Sequence, residues 1–407
     1  MTLDVRFVTE SDIPAFRRAV VRAFGADDKD DPKLQARWDA SFKPELCIGA
    51  FDDDRLVGTF SSFDLELNVP GGSAPMAGTT IVSVMPTHRR RGLLSRMMHV
   101  HLRQAIDRRQ PIAGLWATEH GIYRRFGYGV ANTVREVGFD TRKASVPGPE
   151  AGVSLRTVEA DEGAAVARSI FNDALAGRPG TYDRPDWWWT HRVELDHPEF
   201  RDGKSEHRWV VAEADGERVG YVLYRVKLHW DSAGPNGKLD VIEVLATTDA
   251  AERALWHYIS HVDLFPNVFC WNLPEDSVLP WIIDNPRQLT YAMWDGLWVR
   301  ILDVAAALQS RTYMHDGSIV IQVADDYLPE VSGVFAVEIT GGSAAVERSD
   351  QTPDILLDVA ELGSIYLGGV RAGQLRRAAR LQGAVEAVAE LERLFGWSVP
   401  SWTQEIF

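Results

Sequence analysis

Three arginines and a glycine, Arg89-Arg90-Arg91-Gly92, stand between the apolar run IVSVMP and a long amphipathic stretch beginning at Leu93. An arginine–glycine turn at a helix start aims several main-chain N–H groups one way. With the helix dipole they make an anion site. Arg90, Arg91, Gly92, Leu93, Leu94 and Ser95 supply those amides, and Gly92 lets the backbone approach a ligand closely. Leu94, Met98, Leu102 and Ile106 recur at near-helical spacing, so the helix packs while its start stays open. No GxxxxGK[ST] loop is present, which sets the turn apart from a Walker site. The same turn also fits a solvated basic cap on a surface helix, and by itself it does not choose.

Composition narrows the partners. The 407 residues carry 43 basic and 58 acidic side chains, a net charge of −15. That balance argues against a general nucleic-acid binder, which needs a basic face. It suits a small anion held locally and a cationic substrate drawn to an acidic cleft. Cys47 and Cys270 are the two cysteines, too few for a disulfide framework or a zinc cluster, so no metal is expected. The N-terminal MTLDVRFVTESD lacks the basic start and apolar core of a signal peptide, and no apolar run reaches membrane-spanning length. A cytoplasmic location is expected, with secretion left open. The 14 tryptophans fit an aromatic core.

The elements that must position the turn follow from pattern. LDVRFVTE reads as a strand and SDIPAFRRAVVRAFG as a helix. DDKDDPK reads as a charged loop. Two strands join at Asp52-Asp53-Asp54, then a longer strand ends at Pro70-Gly71-Gly72. Then come GTTIVSVMP as a strand, a helix from 93 to about 109, the buried strand PIAGLWAT, the turn GIYRRFGYG and the strand TVREVGFDT. After a Pro/Gly-rich linker at 143–152 the order restarts, with a strand–helix unit, a hairpin around Asp215-Gly216 and another strand–helix unit. There TTDAAERAL stands where PTHRRRGLL stood, so the second copy has lost its basic turn. Beyond MWDGLWVRILDV the texture becomes short strands and helices. The expected fold is mixed α/β and α+β, with domains at 1–146, 147–298 and 299–407.

The segment VSVMPTHRRRGLLSRMM resembles the pyrophosphate turn of the GCN5-related N-acetyltransferases, with Arg89 and Gly92 at its two key positions and Leu94 where alanine or glycine is common. ATEHGIYRRFGYGVAN, WDGLWVRILDV, LGSIYLGG and the aromatic C-terminus come in the order of the Eis aminoglycoside acetyltransferase family, so the resemblance covers the chain. It implies two tandem acetyltransferase folds, the second degenerate, followed by a sterol-carrier-protein-like domain. It further implies a homohexamer built as a trimer of dimers, and transfer of acetyl from acetyl-CoA to primary amines of polycationic acceptors: aminoglycosides, polyamines or lysine side chains. Val82, Ser83 and Val84 would polarise the acetyl carbonyl, and residues 90–95 would hold the pyrophosphate. Thr118 and Glu119 match a second cofactor segment. Tyr123 matches the general acid, with Tyr128 its competitor. Phe407 would lend its terminal carboxylate as general base, a group that ordinarily titrates near ~3.5. Asp27, Asp28, Trp38 and Glu405 are the expected amine-pocket residues. The family carries an acidic residue before the terminal phenylalanine where this chain has Ile406. Two other readings stay open: a CoA- or lipid-binding protein on the same fold, and an acetyltransferase for a non-cationic acceptor.

Overall fold

The computed structural model describes residues 3–148 and 151–407. The chain divides into two compact units, one of residues 1–133, 177–183 and 295–407, the other of 134–176 and 184–294.

The first unit begins with strand β1 (Leu3–Phe7) and helix α1 (Ile13–Ala23), which carries Pro14 in its first turn. Helix α2 (Pro32–Ser41) comes next, opening inside the charged stretch expected to be loop. Its signal is Asp31-Pro32: the Asp31 carboxylate accepts from Lys33 N–H at 2.8 Å and Leu34 N–H at 3.3 Å. Strands β2 (Cys47–Asp52), β3 (Arg55–Val69) and β4 (Gly72–Val84) form a meander. Helix α3 (Leu93–Asp107) then crosses over to β5 (Ile112–Trp116), parallel to β4. The short β6 (Gly129–Val130) ends this run.

The second unit holds β7 (Thr133–Asp140), β8 (Ser154–Val158), α4 (Ala160–Ala174), α5 (Asp186–Trp188), β9 (Arg208–Ala214) and β10 (Glu217–Lys227). It continues with a small β11–β12 hairpin (Trp230–Asp231 and Gly234–Pro235), β13 (Lys238–Ala246), α6 (Asp249–Ile259), β14 (Asn267–Leu273), α7 (Leu279–Ile282) and β15 (Thr290–Asp295). The expected hairpin at Asp215-Gly216 joins β9 to β10. The strands line up as β15-β7-β14-β13-β10-β9-β8, with β13 and β14 parallel.

The chain then re-enters the first unit as β16 (Leu297–Ile301), which pairs with β5 and β6 and completes the order β1-β2-β3-β4-β5-β16-β6. β7 belongs to the second sheet, while β16, straddling 298, belongs to the first. After β16 come α8 (Val304–Gln309), β17 (Gly317–Ala324), β18 (Gly333–Thr340), β19 (Ser343–Arg348), β20 (Ile355–Asp358), α9 (Val359–Ile365), α10 (Ala372–Arg377), β21 (Leu381–Gly383) and α11 (Val385–Phe395). The sheet of this part runs β19-β18-β17-β20-β21. No described helix is long and apolar enough to cross a membrane.

Candidate active site

Strands β4 and β5 run in parallel register from Met76–Ile112 to Thr79–Leu115. Beyond that pair β5 soon ends at Trp116 while β4 continues to Val84, so the two strands part and residues 80–84 are half-buried. On the other side of β4 the register with β3 slips between Thr59 and Ser61. Ile81 and Val82 then stand opposite Phe60 alone, a β-bulge. Ile81 takes φ 45°, a strained conformation for a β-branched residue. The Thr59 hydroxyl holds it there, donating to Ile81 O at 2.9 Å and lying 2.7 Å from Ser83 Oγ. Val82 is thus left outside both ladders, whereas Ser83 and Val84 still pair with β3 and the Ser83 hydroxyl is engaged.

The arginine turn lies directly beyond. His88 is buried, with Nε2 3.1 Å from Asp52 Oδ2 and Nδ1 2.8 Å from Thr87 Oγ1, which pins the approach to the turn. Arg90 and Gly92 both take left-handed φ, 62° and 77°. A Cβ at Gly92 would meet nothing within 4 Å, so within the chain the backbone angle, more than crowding, calls for glycine. The first intrahelical bond of α3 runs from Arg96 N–H to Gly92 O at 3.0 Å. The N–H groups of Leu93, Leu94 and Ser95 precede it and have no intrahelical partner. In the second unit the comparable helix α6 is closed by its own residue: Thr248 Oγ1 accepts from Ala251 N–H at 3.3 Å. Arg89, Arg90 and Arg91 are exposed, and Arg89 Nε donates to Val84 O at 3.3 Å. The buried stripe of α3 is Leu93, Met97, Met98, His101, Leu102 and Ala105. It begins one residue before the expected Leu94, which is half-buried, as is Ile106.

Past β5, Thr118 and Glu119 are exposed and Tyr123 turns inward to 6% exposure. Burial raises the Tyr123 phenol above its ordinary range, the Glu119 charge adds to this, and a hydrogen bond with Thr118 opposes it. Tyr128 is fully buried, its hydroxyl 3.1 Å from Thr79 Oγ1 and 3.9 Å from Met98 Sδ. Thr79 Oγ1 also lies 2.8 Å from His101 Nε2. Burial drives the Tyr128 phenol up and the His101 imidazole down to about 3, so His101 is neutral. This Tyr128–Thr79–His101 cluster leaves no mark in the sequence, since a histidine on the packed face of a helix carries no pattern of its own.

The C-terminal segment is buried from Ser401 to Gln404 and again at Phe407. Thr403 Oγ1 donates to Gly180 O at 2.8 Å, Gln404 Nε2 to Tyr182 O at 2.8 Å, and Tyr182 OH to Glu405 O at 3.1 Å. The Phe407 ring stands edge-on to Tyr182 at 5.5 Å. It also backs on Gly78, where a Cβ would lie 3.1 Å from its Cε2 atom. Thr80 Oγ1 donates to Phe407 O at 3.1 Å. Neighbouring hydroxyls of β4 therefore serve opposite faces, Thr79 the core and Thr80 the terminus.

The remaining expected residues are distributed differently. Asp27 is exposed, and Asp28 pairs with Arg17 at 3.4 Å. Trp38 belongs to the core with Phe16 and Phe51 and packs on Phe42 with ring centres 4.4 Å apart. Its indole N–H is buried without a partner among the described residues. Glu405 is half-buried beside an exposed Ile406.

A splayed parallel pair, a bulged strand and an uncapped helix start make the fold of an acetyltransferase of the GCN5-related class. Two segments, 4–131 and 180–301, match family models described as acetyltransferase (GNAT) domains, and 304–404 matches a sterol carrier protein domain. An uncharacterized N-acetyltransferase of Streptomyces avermitilis is 35% identical, covering 99% of each chain. N-acetyltransferase Eis of Mycobacterium tuberculosis is 33% identical, also covering 99% of each. The crystal structure of Eis1 from Mycobacterium abscessus superposes over 100% of both chains with a TM-score of 0.81 at 29% identity. The chain belongs to the Eis family of GNAT acetyltransferases. Acetyl-CoA is the general co-substrate of such domains.

Proposed function

We propose that this acetyltransferase carries acetyl from acetyl-CoA to primary amines of polycationic molecules: aminoglycosides, polyamines or lysine side chains. The observation that carries the reading is the Phe407 main-chain oxygen held by Thr80 beside the parted strands β4 and β5. On this reading the oxygen belongs to a carboxylate that accepts the amine proton as nitrogen attacks the thioester carbonyl. The main chain of Val82, Ser83 and Val84 polarises that carbonyl. When the C–S bond breaks, Tyr123 protonates the departing thiolate, and its raised pKa keeps it in the acid form at neutral pH. The amides of residues 90–95 hold the pyrophosphate, with Thr118 and Glu119 on the pantetheine side. Asp27, Asp28 and Glu405 line the path of the amine, and Trp38 supports it from the core. The enzyme assembles as a homohexamer, a trimer of dimers, and works in the cytoplasm.

The engagement of Asp28 by Arg17 and the exposed Ile406 before the terminus favour a second acceptor class, less cationic amines. Acetyl-CoA turnover across a panel of amines, with mass detection of the acetyls added, separates the two. Turnover on polyamines and aminoglycosides is expected, and turnover only on neutral or singly charged amines would sink the first reading.

A further inference from the structure

The stretch after Tyr123 is tied at four positions to chain beyond residue 299. Arg124 meets Glu361 with two bonds, Nη1 to Oε1 at 2.5 Å and Nη2 to Oε2 at 3.1 Å. The Glu361 side chain is 1% exposed, and Arg380 Nη1 lies 3.9 Å from the same Oε1. Phe126 O accepts from Arg300 Nη1, and Arg300 is fixed in turn by Asp325 at 2.6 Å. The Phe126 ring stands edge-on to Tyr327, centroids 5.1 Å apart. Gly127, at φ 81°, has no room for a side chain, since a Cβ would overlap Arg300 Nη1. A Cβ at Gly129 would overlap Ala360 O in the same way. The spacing R-x-F-G-x-G after Tyr123 is thus the imprint of helix α9 and its neighbours.

From this geometry we infer that Glu361, through Arg124, is a positioning residue for Tyr123, so that the C-terminal domain sets the aim of the general acid as well as delivering Phe407. The inference rests on the reading of Tyr123 as the acid. Arg124 is the covalent neighbour of Tyr123, and a two-point guanidinium–carboxylate bond fixes orientation as well as distance. Glu361 sits on a helix with no exposed residue from Val359 to Ile365, so the anchor itself is rigid. Proton transfer to a leaving thiolate is sensitive to such placement, because small displacements of a catalytic group cost rate steeply.

The test uses the full-length enzyme with Arg124→Lys, which keeps the charge but offers one contact point, and Glu361→Gln, each in the native and the Tyr123→Phe background. In the native background each change should lower kcat by about 10- to 100-fold with KM for acetyl-CoA within about twofold. In the Tyr123→Phe background neither should lower kcat further, because the group they aim is gone. Equal losses in both backgrounds, or unchanged kcat in the native one, would overturn the inference. A Tyr123→Phe enzyme with native kcat is a different result: it removes the acid assignment itself and this inference with it. Arg124 is partly exposed, so Arg124→Lys reports even if Glu361→Gln does not fold.

Discussion

Thr80 and Phe407 lie 327 positions apart, yet the Thr80 hydroxyl donates to the Phe407 main-chain oxygen at 3.1 Å. Thr80 sits at the first position of β4 past its last pairing with β5, so the bond puts the chain's last described residue at the mouth of the splay. The flanking contacts to Gly180, Tyr182 and Gly78 hold the tail in place before any ligand arrives.

If the Phe407 carboxylate is the general base as proposed, extending the chain by one glycine turns it into an amide with no basicity. Turnover should fall by about 100-fold or more, the scale of a lost general base. Thermal stabilisation by CoA should persist. Thr80→Ala should cost less, about tenfold, since the carboxylate remains but is less well held. Steady-state kinetics and a thermal-shift titration check both, and an extended enzyme with native turnover would refute the role of the carboxylate.

Tyr123→Phe and Tyr128→Phe should separate chemistry from packing. The Tyr123 hydroxyl bonds to Thr118 at the edge of the site, and its loss should lower kcat by about 100-fold with little change in Tm. The Tyr128 hydroxyl lies inside the core against Thr79 and Met98. Its loss should cost about 1 kcal/mol of stability while kcat stays within a few-fold. Urea unfolding beside kinetics reads both, and the opposite pattern would exchange the two assignments.

Gly92→Ala puts a Cβ at φ 77° in open space, so the cost is backbone strain of about 1 kcal/mol rather than a clash. Relief of that strain would turn the amides of residues 93–95 out of line. KM for acetyl-CoA should rise several-fold, with kcat at saturation close to native. An unchanged KM would show that the turn does not hold the pyrophosphate.

His101 supplies a pH signature. In the folded chain burial lowers its pKa to about 3, against an ordinary 6.5. Between those values the unfolded chain binds a proton that the folded chain refuses, so stability falls as pH drops through this window. The slope from this one group approaches ~1.4 kcal/mol per pH unit. Above pH 6.5 the contribution is constant. Chemical denaturation from pH 7 to pH 4 should show a shallower decline for His101→Gln than for the native chain. Parallel declines would mean that the imidazole is protonated in the fold.

Much of this was legible in the residues alone. The period of the apolar positions marked β2, β3 and α3, and the glycine beside three arginines marked an open helix start. The loss of that turn in the repeated unit, where Thr248 caps α6 instead, separated a site from a scaffold. The aromatic tail marked a terminus that packs. Helix α2 is hard to see in the sequence although Asp31-Pro32 announces it, because the charge around it has the texture of a loop.

What only tertiary structure decided is which surfaces meet. A strand's alternation states that one face is buried, but not on which partner, so nothing in TVREVGFDT or LWVRI reveals that β7 and β16 each join the other sheet. Nor does local pattern distinguish Thr79 from Thr80. Adjacent residues of a strand point to opposite faces, and only the packing of α3 on one side and the returning tail on the other gives one hydroxyl to His101 and its neighbour to Phe407. Local sequence carries periodicity and turn chemistry because those depend on a few neighbouring bonds. The meeting of Arg124 with Glu361, or of Thr80 with Phe407, depends on the closure of the whole chain, and short-range preference holds no record of it.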